Sequence, residues 1–311
     1  MKIVFWGSDD FALVILEALS QSSHEVAACV THPDRPQGRG MAVGSSPIKE
    51  SALKNKIPLL QPSILKASSF QKQLQGYRSD LFVVAAYGRI LSPEVLAIPY
   101  LCCMNVHASL LPKYRGAAPI QWAIMNGDEE TGVSIMKMNA QMDAGDILAQ
   151  ARIKIGPNDT VVTVRSRLAV SGADLLLKTI DSMERNAYTL AVQDHAQATF
   201  APKLTKELGL IAWNKKACSI HNLVRALLPW PTAYTSYQGR LLKILETEVL
   251  PVDTSRKSPG ELMELHPEGF IVATADQGLL VKRVHPESAR PMSARSFLAG
   301  HKLGVGFRLG A

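Results

Sequence analysis

The first half of the chain alternates short apolar runs with segments of helical periodicity, and no other feature constrains the fold as strongly. Five runs have the composition of buried strands: Lys2–Trp6, Glu25–Thr31, Asp80–Ala86, Met104–His107 and Gly132–Met138. Four segments between them predict helices: Phe11–Ser20, Pro47–Lys56, Pro93–Ile98 and Ala117–Asn126. Such alternation predicts an α/β fold with a doubly wound, mainly parallel sheet.

The chain changes character after a long helical segment that runs from about Thr160 to Arg185. Residues 189–211 show no clear period, which predicts a linker. One further helix, over 214–228, precedes strand-like pieces that glycines and prolines separate: Leu241–Glu246, Phe270–Ala275 and Leu279–Val284. We therefore expect a first domain over 1–188, a linker over 189–211, and a smaller C-terminal β-barrel domain, OB-like in type, over 212–311.

Composition excludes several classes of protein. Of the 311 residues, 47% are hydrophobic and 20% are charged, which is typical of globular chains and argues against disorder. No apolar run is long enough to cross a bilayer, and the opening residues do not resemble a signal peptide. The four cysteines show no CxxC spacing: Cys29, Cys102, Cys103 and Cys218. These features predict a cytoplasmic protein with reduced thiols and no membrane partner.

The net charge of +7 is unevenly distributed along the chain. Residues 1–189 carry an excess of +2, and residues 190–311 carry +5 in a shorter segment. A basic excess favours a polyanionic partner, because cationic side chains attract phosphates and release their counterions. A mildly basic surface is the simpler explanation when charge is considered alone.

The turn after the first predicted strand does not have the pattern of a dinucleotide site. Gly7 is followed by Ser8, Asp9 and Asp10 and not by GxGxxG, so two acids lie where a pyrophosphate would bind. A nicotinamide cofactor is therefore not expected. Ser8 or Asp9 is predicted to cap the first helix.

A polar cluster follows the fourth predicted strand. Asn105 and His107 stand two residues apart at the end of that strand, so their side chains share one face. Ligands of open α/β sheets bind at strand ends. An amide can donate to a developing oxyanion, and an imidazole titrates near neutral pH. Asp143 lies in a glycine-containing loop 38 residues later and could reach the imidazole. Taken singly, His107 is as easily a core histidine and Asp143 a turn residue.

No metal site is predicted. The seven other histidines are scattered along the chain, with neither HxxxH spacing nor pairing with cysteine. The chemistry expected at Asn105 and His107 also needs no metal ion.

Three motifs carry a resemblance to a known family: N-V-H-A-S-L-L-P over 105–112, R-G-A-A-P-I over 115–120, and M-D-A-G-D-I-L over 142–148. In order and spacing they resemble the folate-dependent formyltransferases. The resemblance covers essentially the whole chain and is strongest to the branch of that family whose acceptor is a transfer RNA charged with methionine. It implies a Rossmann-like formyltransferase domain, with 10-formyltetrahydrofolate as the formyl donor.

The resemblance also implies roles for particular residues. Asn105, His107 and Asp143 match the family's catalytic residues. The remaining matched residues fall on the folate pocket: Tyr87, Gly88, Ser109, Leu110, Leu111 and Pro112.

Three further segments resemble the family's tRNA-recognising parts. The T-H-P-D-R-P-Q-G-R-G segment over 31–40 resembles a loop near the acceptor stem, which implies a tRNA contact at Arg39. The A-P-K-L-T-K-E segment over 201–207 resembles the interdomain linker and adds Lys203 and Lys206. The segment over 225–234 resembles the opening of a C-terminal tRNA-binding domain. The partners implied are initiator methionyl-tRNA and folate, with no obligate protein partner.

Two other functions stay open at this point. The same chemistry could serve a different amine, such as an amino sugar-nucleotide or glycinamide ribonucleotide, although the purine enzymes resemble only the first half of the chain. A tRNA-binding module without catalysis is a different class of function. The complete set of Asn105, His107 and Asp143 argues against that module.

Overall fold

The computed structural model describes residues 1–37 and 42–310, so Arg39 lies outside the described residues. The chain divides into two compact units. The first comprises residues 1–119, 130–154 and 165–202, and the second comprises residues 120–129, 155–164 and 203–311. In the described part of the chain, no helix has both the length and the apolar character needed to cross a membrane.

The chain up to residue 202 has the predicted alternation of strands and helices in its first part. Its strands are β1 (Lys2–Gly7), β2 (Glu25–Val30), β3 (Arg35–Gln37), β4 (Ala42–Gly44), β5 (Leu59–Leu60), β6 (Leu81–Ala85), β7 (Cys102–His107), β8 (Arg115–Gly116), β9 (Glu130–Lys137), β10 (Ile147–Lys154) and β11 (Phe200–Ala201). Its helices are α1 (Asp10–Ser20), α2 (Pro47–Lys54), α3 (Ser68–Gly76), α4 (Pro93–Leu96), α5 (Pro119–Asn126) and α6 (Val161–Glu184).

Seven of these strands form one sheet in the order β10-β9-β7-β6-β1-β2-β5. The strands from β7 to β5 pair in parallel, whereas β9 and β10 are antiparallel additions at one edge. The prediction of a mainly parallel, doubly wound sheet is therefore confirmed. Because β2 and β6 lie on opposite sides of β1, the sheet has a topological switch point beside β1, where ligands of such sheets bind.

The first helix begins as the sequence predicts. Asp9 is the N-cap of α1, and its carboxylate accepts hydrogen bonds from Phe11 N at 3.0 Å and Ala12 N at 3.2 Å. It also forms an ion pair with Arg165. Because the Asp9 carboxylate already binds the N–H groups at the start of α1, this turn is not suited to binding a phosphate.

Helix α3, strand β10 and the five short strands β3, β4, β5, β8 and β11 were not predicted. Helix α3 has no side-chain cap and buries only Phe70 and Leu74, so its apolar period is too short to stand out. Strand β10 is the edge of the sheet, and most of its residues are partly or fully exposed. An edge strand of mixed polarity lacks the continuous apolar run that marks the central strands.

The second unit is built on an antiparallel sheet, which confirms the smaller C-terminal β domain. Its strands are β12 (Ala233–Tyr237), β13 (Arg240–Asp253), β14 (Leu262–His266), β15 (Gly269–Ala273), β16 (Gln277–Pro286) and β17 (Met292–Ser293), and its own helices are α7 (Ala217–Ala226) and α8 (Ala294–Gly300). The sheet order is β12-β13-β16-β15-β14, with β17 paired to β16. Register shifts interrupt the pairing of β13 with β16 at three places, and bulges of this kind bend a long strand. The core of this sheet is centred on residues such as Trp213, Phe270 and Phe297.

Candidate functional site

The three candidate catalytic side chains lie together at the carboxyl end of β7. The amide nitrogen Nδ2 of Asn105 is 3.5 Å from Oδ1 of Asp143, and Nδ1 of His107 is 3.8 Å from Oδ2 of the same carboxylate. His107 is buried, while Asn105 and Asp143 are partly exposed. The alternation of β7 therefore brings an amide and an imidazole to one carboxylate that solvent can still reach.

The hydrogen bonds of His107 fix where its proton lies. Its Nε2 is 3.0 Å from the carbonyl oxygen of Tyr114. A carbonyl oxygen only accepts, so Nε2 carries a hydrogen and donates it. In the neutral ring Nδ1 is then an unprotonated base, and it faces Asp143. A proton taken up at Nδ1 gives an imidazolium flanked by an acceptor on each side, which favours proton transfer to this atom.

Asp143 is held by a backbone group as well as by its neighbours. Its Oδ2 accepts a hydrogen bond from the N–H of Gly116 at 2.8 Å. Asp143 has a φ of 51° and Gly116 a φ of 128°, both in the left-handed region. A non-glycine residue in that conformation costs free energy and persists only where surrounding contacts impose it.

The Tyr114–Gly116 tripeptide is fixed by a later part of the chain. Tyr114 N donates to Oγ1 of Thr199 at 2.9 Å, and Arg115 N donates to the carbonyl of Thr199 at 2.9 Å. β8 pairs in parallel with β11, which places Ala201 against Gly116. A Cβ on Gly116 would lie 2.5 Å from the Ala201 carbonyl oxygen, so only glycine fits here. These backbone ties fix the two groups that bind His107 and Asp143.

Sequence reasoning missed this supporting set. The Tyr114 carbonyl and the Gly116 N–H are backbone groups, which residue types do not reveal. Gln193 is buried, and its amide donates to the carbonyls of Asp143 at 3.0 Å and Gly145 at 2.6 Å. An isolated glutamine in a segment without a period gives no signal in one sequence. The R-G motif was the only available indication of these contacts.

The predicted folate-loop residues follow β7 directly. Ser109 and Leu111 are buried, whereas Leu110 and Pro112 are partly exposed. The backbone of this loop is braced by Ser134, whose Oγ accepts from Leu111 N at 3.0 Å and donates to the Ser109 carbonyl at 2.7 Å. The loop therefore presents a fixed, partly apolar surface beside the catalytic residues.

Tyr87 and Gly88 follow β6, the next strand of the sheet toward β1. The Tyr87 ring is buried and stacks on His32, with ring centroids 5.0 Å apart and planes inclined by 2°. His32 Nε2 also lies 2.6 Å from the Tyr87 carbonyl oxygen. Gly88 has a φ of 75°, and among the described residues a Cβ there would meet only His32 Nε2, at 3.9 Å.

The residues predicted to contact tRNA lie in the 31–40 segment and at the start of the 203–311 part of the second unit. The base of the 31–40 segment is well anchored: Gln61 donates to the His32 carbonyl at 2.8 Å and to Asp34 Oδ1 at 2.9 Å. Hydrogen bonds from Lys49 and then Gln61 lower the pKa of Asp34 below its usual value. Arg39 itself is outside the described residues, and Lys203 and Lys206 are exposed in the second unit.

His24, Asp181 and Glu184 form a group whose ligand atoms are close enough for a metal ion. Different ring nitrogens of His24 face the two acids, Nε2 toward Asp181 at 3.4 Å and Nδ1 toward Glu184 at 3.5 Å. One ring nitrogen of His24 and one oxygen of each acid lie within 4.8 Å of one another. The contacts are those of an ion-pair network, which the N-terminal amine extends by bonding Glu184 at 2.6 Å.

Gly145→Ala is expected to destabilise the protein and to displace the catalytic carboxylate. A Cβ at this position would lie 1.8 Å from the carbonyl oxygen of Lys137, so the backbone carrying Asp143 must move. Overpacking against rigid backbone costs about 3 kcal/mol. Chemical unfolding should show this loss, whereas Gly76→Ala, whose Cβ would meet nothing within 4 Å, should leave stability nearly unchanged. Equal stability of the two variants would contradict the packing argument.

Known proteins match this chain over most of its length. A family model described as formyl transferase matches residues 1–180, and one described as formyl transferase, C-terminal domain, matches residues 203–302. Methionyl-tRNA formyltransferase of Acetivibrio thermocellus is 44% identical over 310 residues, which cover 100% of both chains. The protein of the same name from Desulforamulus reducens is 44% identical and covers 100% of this chain and 98% of its own.

Solved structures share the fold. HypX from Aquifex aeolicus, in complex with tetrahydrofolic acid, has a TM-score of 0.68 at 17% identity and covers 98% of this chain and 48% of its own. WlaRD, a sugar 3N-formyl transferase, has a TM-score of 0.68 at 18% identity and covers 93% of this chain and 98% of its own. Both units of the chain thus have counterparts among formyltransferases in sequence, and the fold agrees in structure. The chain belongs to the formyl transferase family.

Proposed function

We propose that this protein transfers the formyl group of 10-formyltetrahydrofolate to the free amino group of initiator methionyl-tRNA, in the cytoplasm. The observation that carries the proposal is the convergence of Asn105, His107 and Asp143 at the end of β7. This cluster occurs in a chain that is 44% identical, over its full length, to methionyl-tRNA formyltransferases.

His107 acts as the base at the reacting nitrogen. A neutral amine attacks the formyl carbon, and the amine must lose a proton as the new C–N bond forms. Nδ1 of His107 is the unprotonated ring nitrogen, because Nε2 donates to the Tyr114 carbonyl. It accepts the proton and returns it to the folate nitrogen, whose bond to the formyl carbon breaks. A positioned base of this kind accelerates proton transfer by about a hundredfold or more.

Asn105 stabilises the oxygen of the tetrahedral intermediate. Its amide carries two N–H groups, and its contact with Asp143 at 3.5 Å is long, which leaves the amide able to donate to a developing oxyanion. A preorganised donor is worth more in the transition state than in the ground state, because the negative charge develops only there.

Asp143 supports the imidazolium form of His107. Its carboxylate is aimed by the Gly116 N–H at 2.8 Å and faces Nδ1 at 3.8 Å. A negative charge at this distance stabilises the ring when it is protonated, which lowers the barrier to proton uptake.

The folate is held beside this cluster by the loop after β7 and the turn after β6. Leu110 and Pro112 supply partly exposed apolar surface for a flat heterocycle, on a backbone that Ser134 and Gln150 fix. Ser109 and Leu111 are buried and set the loop's shape. The Tyr87–Gly88 turn forms the neighbouring wall, and a Cβ on Gly88 would contact no described residue closer than 3.9 Å.

Residues 1–188 constitute the catalytic domain in this proposal, residues 189–211 the linker, and residues 212–311 the tRNA-binding domain. The charge excess of +5 in residues 190–311 suits a phosphate backbone. Lys203 and Lys206 are both exposed and can contact tRNA without rearrangement. Such contacts supply affinity with little sequence discrimination.

The function is tested by incubating the protein with 10-formyltetrahydrofolate and methionyl-tRNA and assaying N-formylmethionine. A parallel reaction offers an amino sugar-nucleotide, and a third measures tRNA binding without the donor. Formylation of methionyl-tRNA alone supports the proposal. Formylation of the sugar-nucleotide with no reaction on tRNA, or tRNA binding without any formyl transfer, would overturn it.

Arg39→Ala is expected to raise KM for methionyl-tRNA about tenfold and to leave KM for the folate unchanged. The reason is the loss of one phosphate contact, which should also make tRNA binding less dependent on salt. Arg185→Ala is the matched control, since Arg185 is an exposed arginine elsewhere in the first unit. If Arg39→Ala and Arg185→Ala show the same tRNA kinetics and the same salt dependence, Arg39 is not a tRNA contact.

A further inference from the structure

We infer that Gln193, whose side-chain oxygen is hydrogen-bonded by Arg115, is a positioning residue that holds the Asp143 carboxylate in the geometry that the reaction needs. The inference rests on the formyl transfer proposed above and adds a residue to that same site. Gln193 touches no reacting atom in this scheme and acts only through the backbone that carries Asp143.

The side chain of Gln193 binds the Asp143 loop at two points. Its Nε2 donates to the carbonyl oxygen of Asp143 at 3.0 Å and to that of Gly145 at 2.6 Å. The two hydrogens of the Gln193 amide are therefore bonded to the carbonyls of the residues on either side of Ala144, and these bonds fix the backbone on both sides of it. Gln193 is 3% exposed, so water cannot replace these bonds at low cost.

Arg115 fixes the orientation of that amide. Its Nε and Nη2 donate to Oε1 of Gln193 at 3.1 Å and 2.7 Å. The guanidinium donates two hydrogen bonds to the same amide atom, so that atom is the oxygen. The NH2 group of the amide must therefore point at the Asp143 loop. Arg115 Nη2 also lies 3.0 Å from Nδ1 of His195, which must accept this hydrogen bond.

The tripeptide Tyr114–Gly116, which contains Arg115, also contacts His107 and Asp143. Arg115 stands between Tyr114, whose carbonyl binds His107, and Gly116, whose N–H binds the Asp143 carboxylate. Arg115 and Gln193 thus connect the segment that aims the carboxylate with the backbone that bears it. Asp143 has a φ of 51°, a conformation that surrounding contacts must impose, and the Gln193 bond to its carbonyl is one such contact.

Gln193→Glu tests the donor role of Gln193 separately from its acceptor role, because glutamate has the same size as glutamine. The glutamate still accepts from Arg115, and more strongly, because the pair is now charged. It has no hydrogen to donate, so two carboxylate–carbonyl contacts replace the two hydrogen bonds to the Asp143 loop. The loop should move away, and the carboxylate of Asp143 should lose its fixed distance to His107.

The expected result for Gln193→Glu is a fall in kcat of about thirtyfold, with KM for the folate within threefold of the wild-type value. Gln197→Glu is the matched control. It makes the same change in charge four residues later, at an exposed side chain whose Nε2 bonds only Asp194, at 2.8 Å, among the contacts described. Equal kcat for the two variants would overturn the inference.

A double variant distinguishes positioning through Asp143 from general damage to the fold. When Asp143 is already Asn, its geometry no longer limits the reaction, so adding Gln193→Glu should lower kcat by less than threefold. Losses that multiply in the double variant would show that Gln193 acts by another route, and would overturn the inference.

A second readout is independent of activity. The Gly116 amide is bonded to Asp143 Oδ2 at 2.8 Å, so it reports directly on the carboxylate's position. Hydrogen exchange followed by NMR should show this amide exchanging at least tenfold faster in Gln193→Glu, with the amides of β1 unchanged. Unchanged exchange at Gly116 would overturn the inference. An inactive wild-type protein with the expected exchange result would instead overturn the proposed function and leave Gln193 as the residue that positions Asp143.

Discussion

His107→Ala is expected to lower kcat for formyl transfer about a thousandfold while leaving folate binding within a few-fold of the wild-type value. In the proposed mechanism the imidazole combines two tasks: Nδ1 accepts the proton of the attacking amine, and the ring delivers it to the leaving nitrogen. Removal of a general base costs about a hundredfold or more, and the lost support of the transition state adds to this. Donor binding depends on the loop after β7 and is not a task of the imidazole, so binding should persist.

The measurement is single-turnover formylation of methionyl-tRNA, with folate affinity determined by calorimetry. His266→Ala is the control, since His266 lies in β14 of the second unit and accepts only from the backbone N–H of Glu268, at 3.2 Å, among the contacts described. Near-normal turnover in His107→Ala would refute the assignment of the base. Loss of folate affinity in step with turnover would show that the imidazole binds substrate and does not act mainly on the transition state.

The fold of the first unit could be predicted because its central strands are buried on both faces. β6 is entirely buried and is a continuous apolar run, and β7, which buries all but one of its residues, is apolar up to Asn105. The end of such a run marks a strand end, and polar side chains at that point stand out. Asn105 and His107 were singled out for this reason, and the resemblance to the family's motifs then indicated these two residues and Asp143 as candidate catalytic residues.

The parts of the site that could not be predicted are those in which the backbone provides the chemistry. The Tyr114 carbonyl determines the tautomer of His107, and the Gly116 N–H aims Asp143, yet every residue has a carbonyl and nearly every one an N–H. Gln193 lies 50 residues from the loop that it binds. Only the folded chain brings these groups to the candidate catalytic residues. A single sequence does not show which residues far apart along the chain come into contact.

The two compact units are not two continuous segments of the sequence. Residues 155–164 belong to the second unit, although they precede most of α6. The reason lies in α7: Arg225 donates to the carbonyls of Gly156 at 3.1 Å and Asp159 at 2.8 Å, and His221 Nε2 is 3.0 Å from the carbonyl of Pro157. A carbonyl oxygen only accepts, so His221 Nε2 donates this hydrogen bond, and burial lowers the pKa of His221. Truncation after residue 202 would therefore remove partners of residues 155–164, and single substitutions are the better tests of the catalytic unit.

Asp143→Asn is expected to lower kcat about a hundredfold with little change in stability. Asparagine has nearly the same shape, and its Oδ1 can still accept the Gly116 N–H, so the bond at 2.8 Å and the loop should persist. What disappears is the negative charge 3.8 Å from His107 Nδ1, and with it the stabilisation of the imidazolium that forms during proton transfer.

The predicted signature of Asp143→Asn is a loss confined to kcat, with KM for both substrates nearly unchanged and an unfolding midpoint close to that of the wild-type protein. Asp146→Asn is the control in the same loop: it removes an equal charge from a residue whose described contact is a backbone bond, Lys137 N to the Asp146 carbonyl at 2.8 Å. If Asp143→Asn and Asp146→Asn turn over at the same rate, the carboxylate serves only the shape of the loop and has no electrostatic part in the reaction.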